Sequence, residues 1–237
     1  MKKLFIFLFV ICLTLYVQAQ YKVGDIYNKN GVIGMVVDVD ESGNHGLLLS
    51  LTESKEDWTT EKKIKVHIGT SNEDNGEMNM QVLENYISNN HKDWSDFPVF
   101  EWVRSLGKGW YLPAKNELIS IWINLNGGDL KLNKKSKKIW KQHNKAMKKA
   151  GGDALFTRLS IMESGINHVL MGMISSTESN NDNIWAVNVV GSRCIIDALA
   201  APNATIEATE LEKNNHSETK NIITARRKFA SRAVYRF

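Results

Sequence analysis

One stretch of this 237-residue chain gathers groups able to ligate or recognise: Glu178, Asn180, Asn181, Asp182 and Asn183, with Trp185 just beyond. Carboxylates and amides within one loop are the oxygen donors that calcium selects. The indole offers a flat apolar face on which a sugar ring could stack. Only Glu178 and Asp182 carry charge, few for a tight calcium site, and Asn and Asp also collect in turns because they bond to local backbone. The loop is read as a candidate ligand site; its metal is left open and no cofactor is expected.

A second concentration is basic. Residues 131–149, KLNKKSKKIWKQHNKAMKK, hold nine lysines and no acid. Lys134, Lys135, Lys138, Lys141, Lys145 and Lys148 form a candidate patch for an anionic ligand, polysaccharide or lipid headgroup, with Ile139, Trp140 and Met147 either packed inward or inserted. The same pattern also describes a surface helix with a solvated lysine face. The stretch lacks arginine, the residue suited to bidentate grip on sulfate or phosphate.

Other chemistries find little support. The six histidines are scattered, and none makes the close pairing with Cys or carboxylate that zinc requires. Ser175-Ser176-Thr177 offers hydroxyls without a nucleophile elbow, and hydroxyls ending a buried strand commonly bond to backbone. Cys194 lies in the apolar run RCIID and reads as an inert buried thiol. No catalytic constellation emerges, and the chain is expected not to be an enzyme.

The elements that must carry these groups begin after a leader. Met1-Lys2-Lys3, an apolar run from Leu4 to Val17 and Val17-Gln18-Ala19 read as a signal peptide over residues 1–19, cleaved before Gln20. Without Lys2 and Lys3 the formal charge falls from +4 to +2, too close to neutral for a dedicated nucleic-acid binder. Cys12 leaves with the leader, so Cys194 has no disulfide partner and an ordinary core must stabilise the fold. No second apolar run is long enough to span a bilayer.

Residues 20–237 read as a single domain. Asn30-Gly31 and Ser42-Gly43-Asn44 punctuate early strands, with Val36 to Val39 and Leu47 to Leu51 paired in a hairpin. Residues 52–77 read as loop with a strand near Ile64 to Ile68. Met80, Leu83 and Ile87 mark a helix ending at Asn89-Asn90. Pro98 opens another, with Val99, Trp102, Val103 and Leu106 on one face. A third spans 113–125, with Pro113 as its first helical residue and Glu117 favoured by the helix dipole. The lysine-rich helix is placed near 136–150, capped by Ser136 and burying Ile139, Trp140, His143, Met147 and Ala150. Strands resume at His168, are divided by a polar insert near 205–221, and close with KFASRAVYRF. Strands, helices, then strands imply α+β architecture whose two ends share a sheet.

Three segments resemble one family. GWYLPAKNEL, then ISSTES leading into IWAVN, then RRKFASRAVYRF are similar, in order, to elements of bacterial C-type-lectin-like domains of the Lcl-type exported proteins. The resemblance covers about residues 107–237, and VGDIYNKNGVIGMVV resembles the family's opening strands. It implies helices packed on a small irregular antiparallel sheet with paired termini, and it makes Trp110 and Leu112 core residues. Ile174 replaces a tryptophan of the pattern, and Ser231-Arg232 stands where Val-Arg is usual. The disulfides of animal C-type lectins are absent, as are the Glu-Pro-Asn and Gln-Pro-Asp signatures of calcium-dependent sugar binding. Enzymes on a related fold use a cysteine pair, which this chain lacks once the leader is removed.

These readings converge on an exported, non-catalytic binding protein, periplasmic, cell-surface or secreted. Its expected ligand is a glycan or a surface protein, not nucleic acid. A structural or assembly subunit of an exported complex is the alternative, and the oligomeric state stays open.

Overall fold

The computed structural model describes residues 20–60, 67–129, 134–155, 157–160, 167–180, 183–190, 193–200 and 230–237. The leader at 1–19, Asn181, Asp182, the insert at 205–221 and most of the strand expected near Ile64 lie outside the described residues.

The chain opens with β1 (Ile26–Lys29), β2 (Val32–Val39) and β3 (Gly46–Ser50), two antiparallel hairpins. Asn30 and Gly31 both take positive φ, 55° and 78°, which a two-residue hairpin turn demands. The expected pairing of Val36–Val39 with the Leu47 strand is present, with a bulge between Val36 and Asp38. Helix α1 (Gly76–Asn89) follows, capped by the Asn75 side chain, which accepts from Met78 N–H. A short 3₁₀ turn, Trp94–Asp96, leads into α2 (Pro98–Ser105). Then come β4 (Trp110–Tyr111), α3 (Lys115–Leu125) and α4 (Lys134–Lys149). A second run of strands comprises β5 (Thr157–Ser160), β6 (Asn167–Asn180), β7 (Asn183–Val190) and β8 (Arg193–Ala200), and β9 (Val234–Arg236) ends the order.

The architecture is mixed α+β with antiparallel sheets. There are two sheets where one was expected: β1-β2-β3-β9-β4 and β5-β6-β7-β8. They meet through a parallel bridge between Met173 of β6 and Ala230, while an antiparallel bridge between Ser54 and Ser231 prolongs the pairing of β3 with β9. The early hairpins and the closing strand do share a sheet, because β9 lies between β3 and β4.

Alternation along the strands divides the core in two. Met173, Val187 and Val234 join Met35, Leu49, Trp122, Trp140 and Met147 in one cluster. Their neighbours Ile174, Ala186 and Ala233 join Leu83, Phe100, Val103 and Trp58 in the other. Helices α3 and α4 serve the first cluster, α1 and α2 the second. The aromatic elbow before α3 feeds both, with Tyr111 in the first and Leu112 in the second. Trp110, expected in the core, is only half-buried and stacks on Tyr235 at 5.5 Å.

Two helix starts differ from expectation. Helix α3 begins at Lys115 with Ala114 as N-cap, so Pro113 lies outside it. The Pro113 carbonyl instead accepts from Ser176 N–H at 2.8 Å, a tertiary contact that local spacing does not announce. Helix α4 begins at Lys134, two residues before Ser136, whose buried hydroxyl donates to the Asn126 carbonyl at 3.4 Å.

Candidate functional site

Glu178, the first residue of the site suggested by residue type, is turned inward. The Glu178 side chain is 1% exposed. Its carboxylate accepts from the backbone N–H groups of Ile68, Gly69 and Thr70 at 3.0, 2.8 and 3.0 Å, and His67 Nδ1 lies 3.1 Å away. Three amides converging on one carboxylate staple the 67–70 loop to β6 and occupy the oxygens a cation would need. Asn183 opens β7 opposite Asn180 across the turn. Trp185 is half-buried, with the Lys115 ammonium 4.9 Å from its ring centroid and that ammonium also 2.6 Å from Glu73. One face of the indole is thereby covered from within the protein.

The hydroxyls of Ser175-Ser176-Thr177 act as fasteners, as their place at a buried strand suggested. Ser175 Oγ donates to the Trp185 carbonyl at 2.7 Å, and Thr177 Oγ1 donates to the Asn72 carbonyl at 2.9 Å. The Asn79 amide of α1 donates to Ser176 Oγ at 2.9 Å. This tripeptide joins α1, the elbow and β7 in one buried polar knot. Among the described residues no three His, Cys, Asp or Glu side chains come together to hold a metal. No helix among them is long and apolar enough to cross a membrane.

The lysine-rich helix sorts cleanly by face. Trp140, His143 and Met147 are buried, with the Trp140 ring 5.5 Å from Trp122. Asn144 Oδ1 accepts from Leu155 N–H at 2.8 Å, tying the helix to the segment that precedes β5. The question of packing or insertion is thus answered by packing. Lys135, Lys138, Lys141, Lys145 and Lys148 of the expected patch are exposed, together with Lys137 and Lys149. Lys134 is the first residue of the helix.

His143 is the weak point in that docking. Burial holds its pKa below the ordinary value of 6.5, and its Nδ1 has no partner among the described residues. An added Cβ on Gly24 would sit 3.0 Å from its ring, so the imidazole has no room to turn toward water. The unfolded chain therefore takes up this proton first as pH falls. Stability contributed by the neutral ring is complete above the ordinary pKa and is lost as pH drops through it toward the folded value. Thermal unfolding followed between about pH 8 and pH 5 should show this loss, with a flatter profile for His143→Leu. An unchanged profile in that variant would assign the loss to another group.

A groove that residue types did not announce lies between the loop after β3 and α2. Its volume is about 840 Å³, with Glu53, Ser54, Lys55 and Glu56 from the loop, Pro98, Glu101, Trp102 and Ser105 from α2, and Asp153 from beyond α4. Glu56 and Glu101 are exposed, and Trp102 is half-buried with part of its ring available. The other two carboxylates are fixed. Asp153 Oδ2 accepts from Glu53 N–H at 3.0 Å, and Glu53 Oε2 is 3.4 Å from the Arg232 guanidinium.

Arg232 is 1% exposed and also donates to the carbonyls of Ser50, Leu51, Asp153 and Ala154. Burial pulls its pKa below the ordinary guanidinium range, and Glu53 and Asp153 pull it back. The groove therefore has a rigid acidic wall and an aromatic platform. Its residues span a hundred positions of sequence, and Trp102 reads as part of the apolar face of α2, which is why spacing concealed it. In comparisons with protein-family models, with curated proteins and with solved structures, the chain finds no match.

Proposed function

We propose that the chain is an exported, non-catalytic binding protein of C-type-lectin-like fold that recognises a neutral or amine-bearing glycan in the groove beside α2. The observation carrying the glycan half is the groove itself, which Trp102 lines together with the exposed Glu56 and Glu101. An apolar sugar face can stack on indole while its hydroxyls donate to carboxylates. The four carboxylates set against Lys55 disfavour an anionic sugar there. Arg232 and the Glu53–Asp153 contact hold one wall in place before any ligand arrives, which lowers the cost of binding. The fold half is supported by the closing strand inserted beside the opening hairpins, and by Tyr21, Tyr27 and Phe237, whose rings meet at 5.0 to 5.6 Å. The leader supports export.

The test is a broad glycan array probed in calcium and again in EDTA, with Trp102→Ala beside the parent. Binding to neutral or amino sugars that survives EDTA and is lost in Trp102→Ala is the expected result. Silence in both buffers, with another chain co-purifying, would make an assembly subunit the better reading. Binding unchanged in Trp102→Ala would remove the groove from the account.

A further inference from the structure

We propose that the exposed face of α4 docks the protein onto the surface of an anionic lipid bilayer, with the helix lying parallel to the headgroup plane. Lys138, Lys141, Lys145 and Lys148 fall at i, i+3, i+7 and i+10, which places them within about 80° of one another around the axis and along about 15 Å of it. One plane can touch all four ammoniums. Lys135, Lys137 and Lys149 flank this row on long flexible stems.

None of these seven has a carboxylate within ion-pair distance among the described residues, whereas Lys55 and Lys115 do. The helix carries no acid of its own, so the charges it presents on this face have one sign.

The chemistry of the face selects among polyanions. Gln142 is its one exposed residue that is not lysine among the described side chains of α4. Among the described residues of α4 there is no exposed aromatic ring for a base or a sugar to stack on, and no arginine fork for a particular phosphate or sulfate. Ammoniums on a convex helix diverge and cannot converge on one small anion. The face reads charge without reading shape, and a headgroup layer is a ligand of charge without fixed shape. The apolar side of α4 is committed to the core through Trp140, His143 and Met147, so contact stays at the surface and nothing inserts. Such contact should fade as salt shortens the reach of the charges.

The chain without its leader, residues 20–237, is tested by co-sedimentation with phosphatidylcholine vesicles, with and without phosphatidylglycerol, at low and high salt. Binding should require phosphatidylglycerol and disappear at high salt. The triple variant Lys138→Gln, Lys141→Gln, Lys145→Gln should lower the partition coefficient about a hundredfold, since each lysine near an anionic surface contributes about a factor of five. The control triple Lys22→Gln, Lys29→Gln, Lys108→Gln should leave it within about twofold, because those exposed side chains lie off α4 and outside the groove. Equal loss in both triples would overturn the assignment by making the effect one of net charge. Binding to neutral vesicles, or no binding at all, would overturn it too. So would soluble dextran sulfate that displaces the protein at matched charge concentration, which would make a polymer the ligand. Glycan binding in the groove does not enter this readout, so either proposal can fail alone.

Discussion

Replacing Arg232 with alanine is expected to cost about 4 kcal/mol of stability, in the range found when one partner of a buried charged network is removed. The side chain is among the largest fully buried in the molecule, so a cavity adds to the loss. Its guanidinium satisfies carbonyls from three places: the end of β3, the residue after it, and the Asp153-Ala154 segment beyond α4. Without it those acceptors face one another with no donor between them. For a chain of this size the loss corresponds to a fall in Tm of about 10 °C.

Arg232→Met separates the two parts of the effect, because it restores most of the volume and none of the hydrogen bonds. It should still lose about 2 kcal/mol, from carbonyls left unpaired. Glu53→Gln should lose less than either, since Glu53 is partly exposed and its contact with the guanidinium is long, at 3.4 Å. Thermal unfolding by circular dichroism ranks the three. An Arg232→Ala protein as stable as the parent would show that the carbonyls find water or other donors, and the network would lose its assigned role.

The second large effect is expected at Glu117. Its Oε2 accepts from Gly76 N–H at 3.0 Å and Ala114 N–H at 2.9 Å, and its Oε1 accepts from the Tyr111 hydroxyl at 2.8 Å and Arg236 at 3.3 Å. One carboxylate thus caps α3, satisfies the first residue of α1 and fixes the aromatic elbow. The approach is close: an added Cβ on Gly76 would lie 2.2 Å from the Leu112 carbonyl, so α1 starts almost in contact with the elbow. Burial, reinforced by the Glu117 charge, holds the Tyr111 phenol far above its ordinary pKa, so it remains a donor.

Glu117→Ala orphans two buried amides and a buried hydroxyl and should cost about 3 kcal/mol, with Glu117→Gln near half of that because one acceptor oxygen survives. Tyr111→Phe in the Glu117→Ala background should cost less than in the parent, since their shared bond is already gone and only the Arg236 contact to the hydroxyl, at 3.1 Å, remains. Urea unfolding read by tryptophan fluorescence measures all of these. A full additive cost for the second substitution would mean that Arg236, and not Glu117, is the partner that matters to the Tyr111 hydroxyl.

Where apolar spacing carried the information, the fold was legible. Leu83 and Ile87 placed α1, Leu118, Ile121, Trp122 and Leu125 placed α3, and Trp140, His143 and Met147 gave the inward face of α4. These follow from a local period of 3.6, which any sequence window contains. The polar residues that hold the elements together were not legible in the same way. Glu178 resembles a ligand donor because it stands in a run of Asn and Asp, yet its partners are backbone amides more than a hundred residues earlier. Arg232 binds chiefly carbonyls, and a backbone carbonyl leaves no trace in residue type. Trp102 lies on the edge of an apolar stripe, where one more helical turn of context decides between core and groove. Ser136 has the residue type of a cap and the position of a buried first-turn residue.

The place of β9 between β3 and β4 bears on when this protein can fold. β3 pairs with β2 on one side and with residues 234–236 on the other, and Arg232 closes contacts 182 positions long to Ser50. Closing loops of that span is slow, because chain entropy is lost before contacts return it. During synthesis the opening hairpins therefore wait with one edge unpaired while most of the polypeptide is still being made. An open, apolar edge of this kind attracts other strands. In a nascent chain so built the edge of β3 stays open until residues 234–236 arrive, and final assembly is a single late event that completes the sheet.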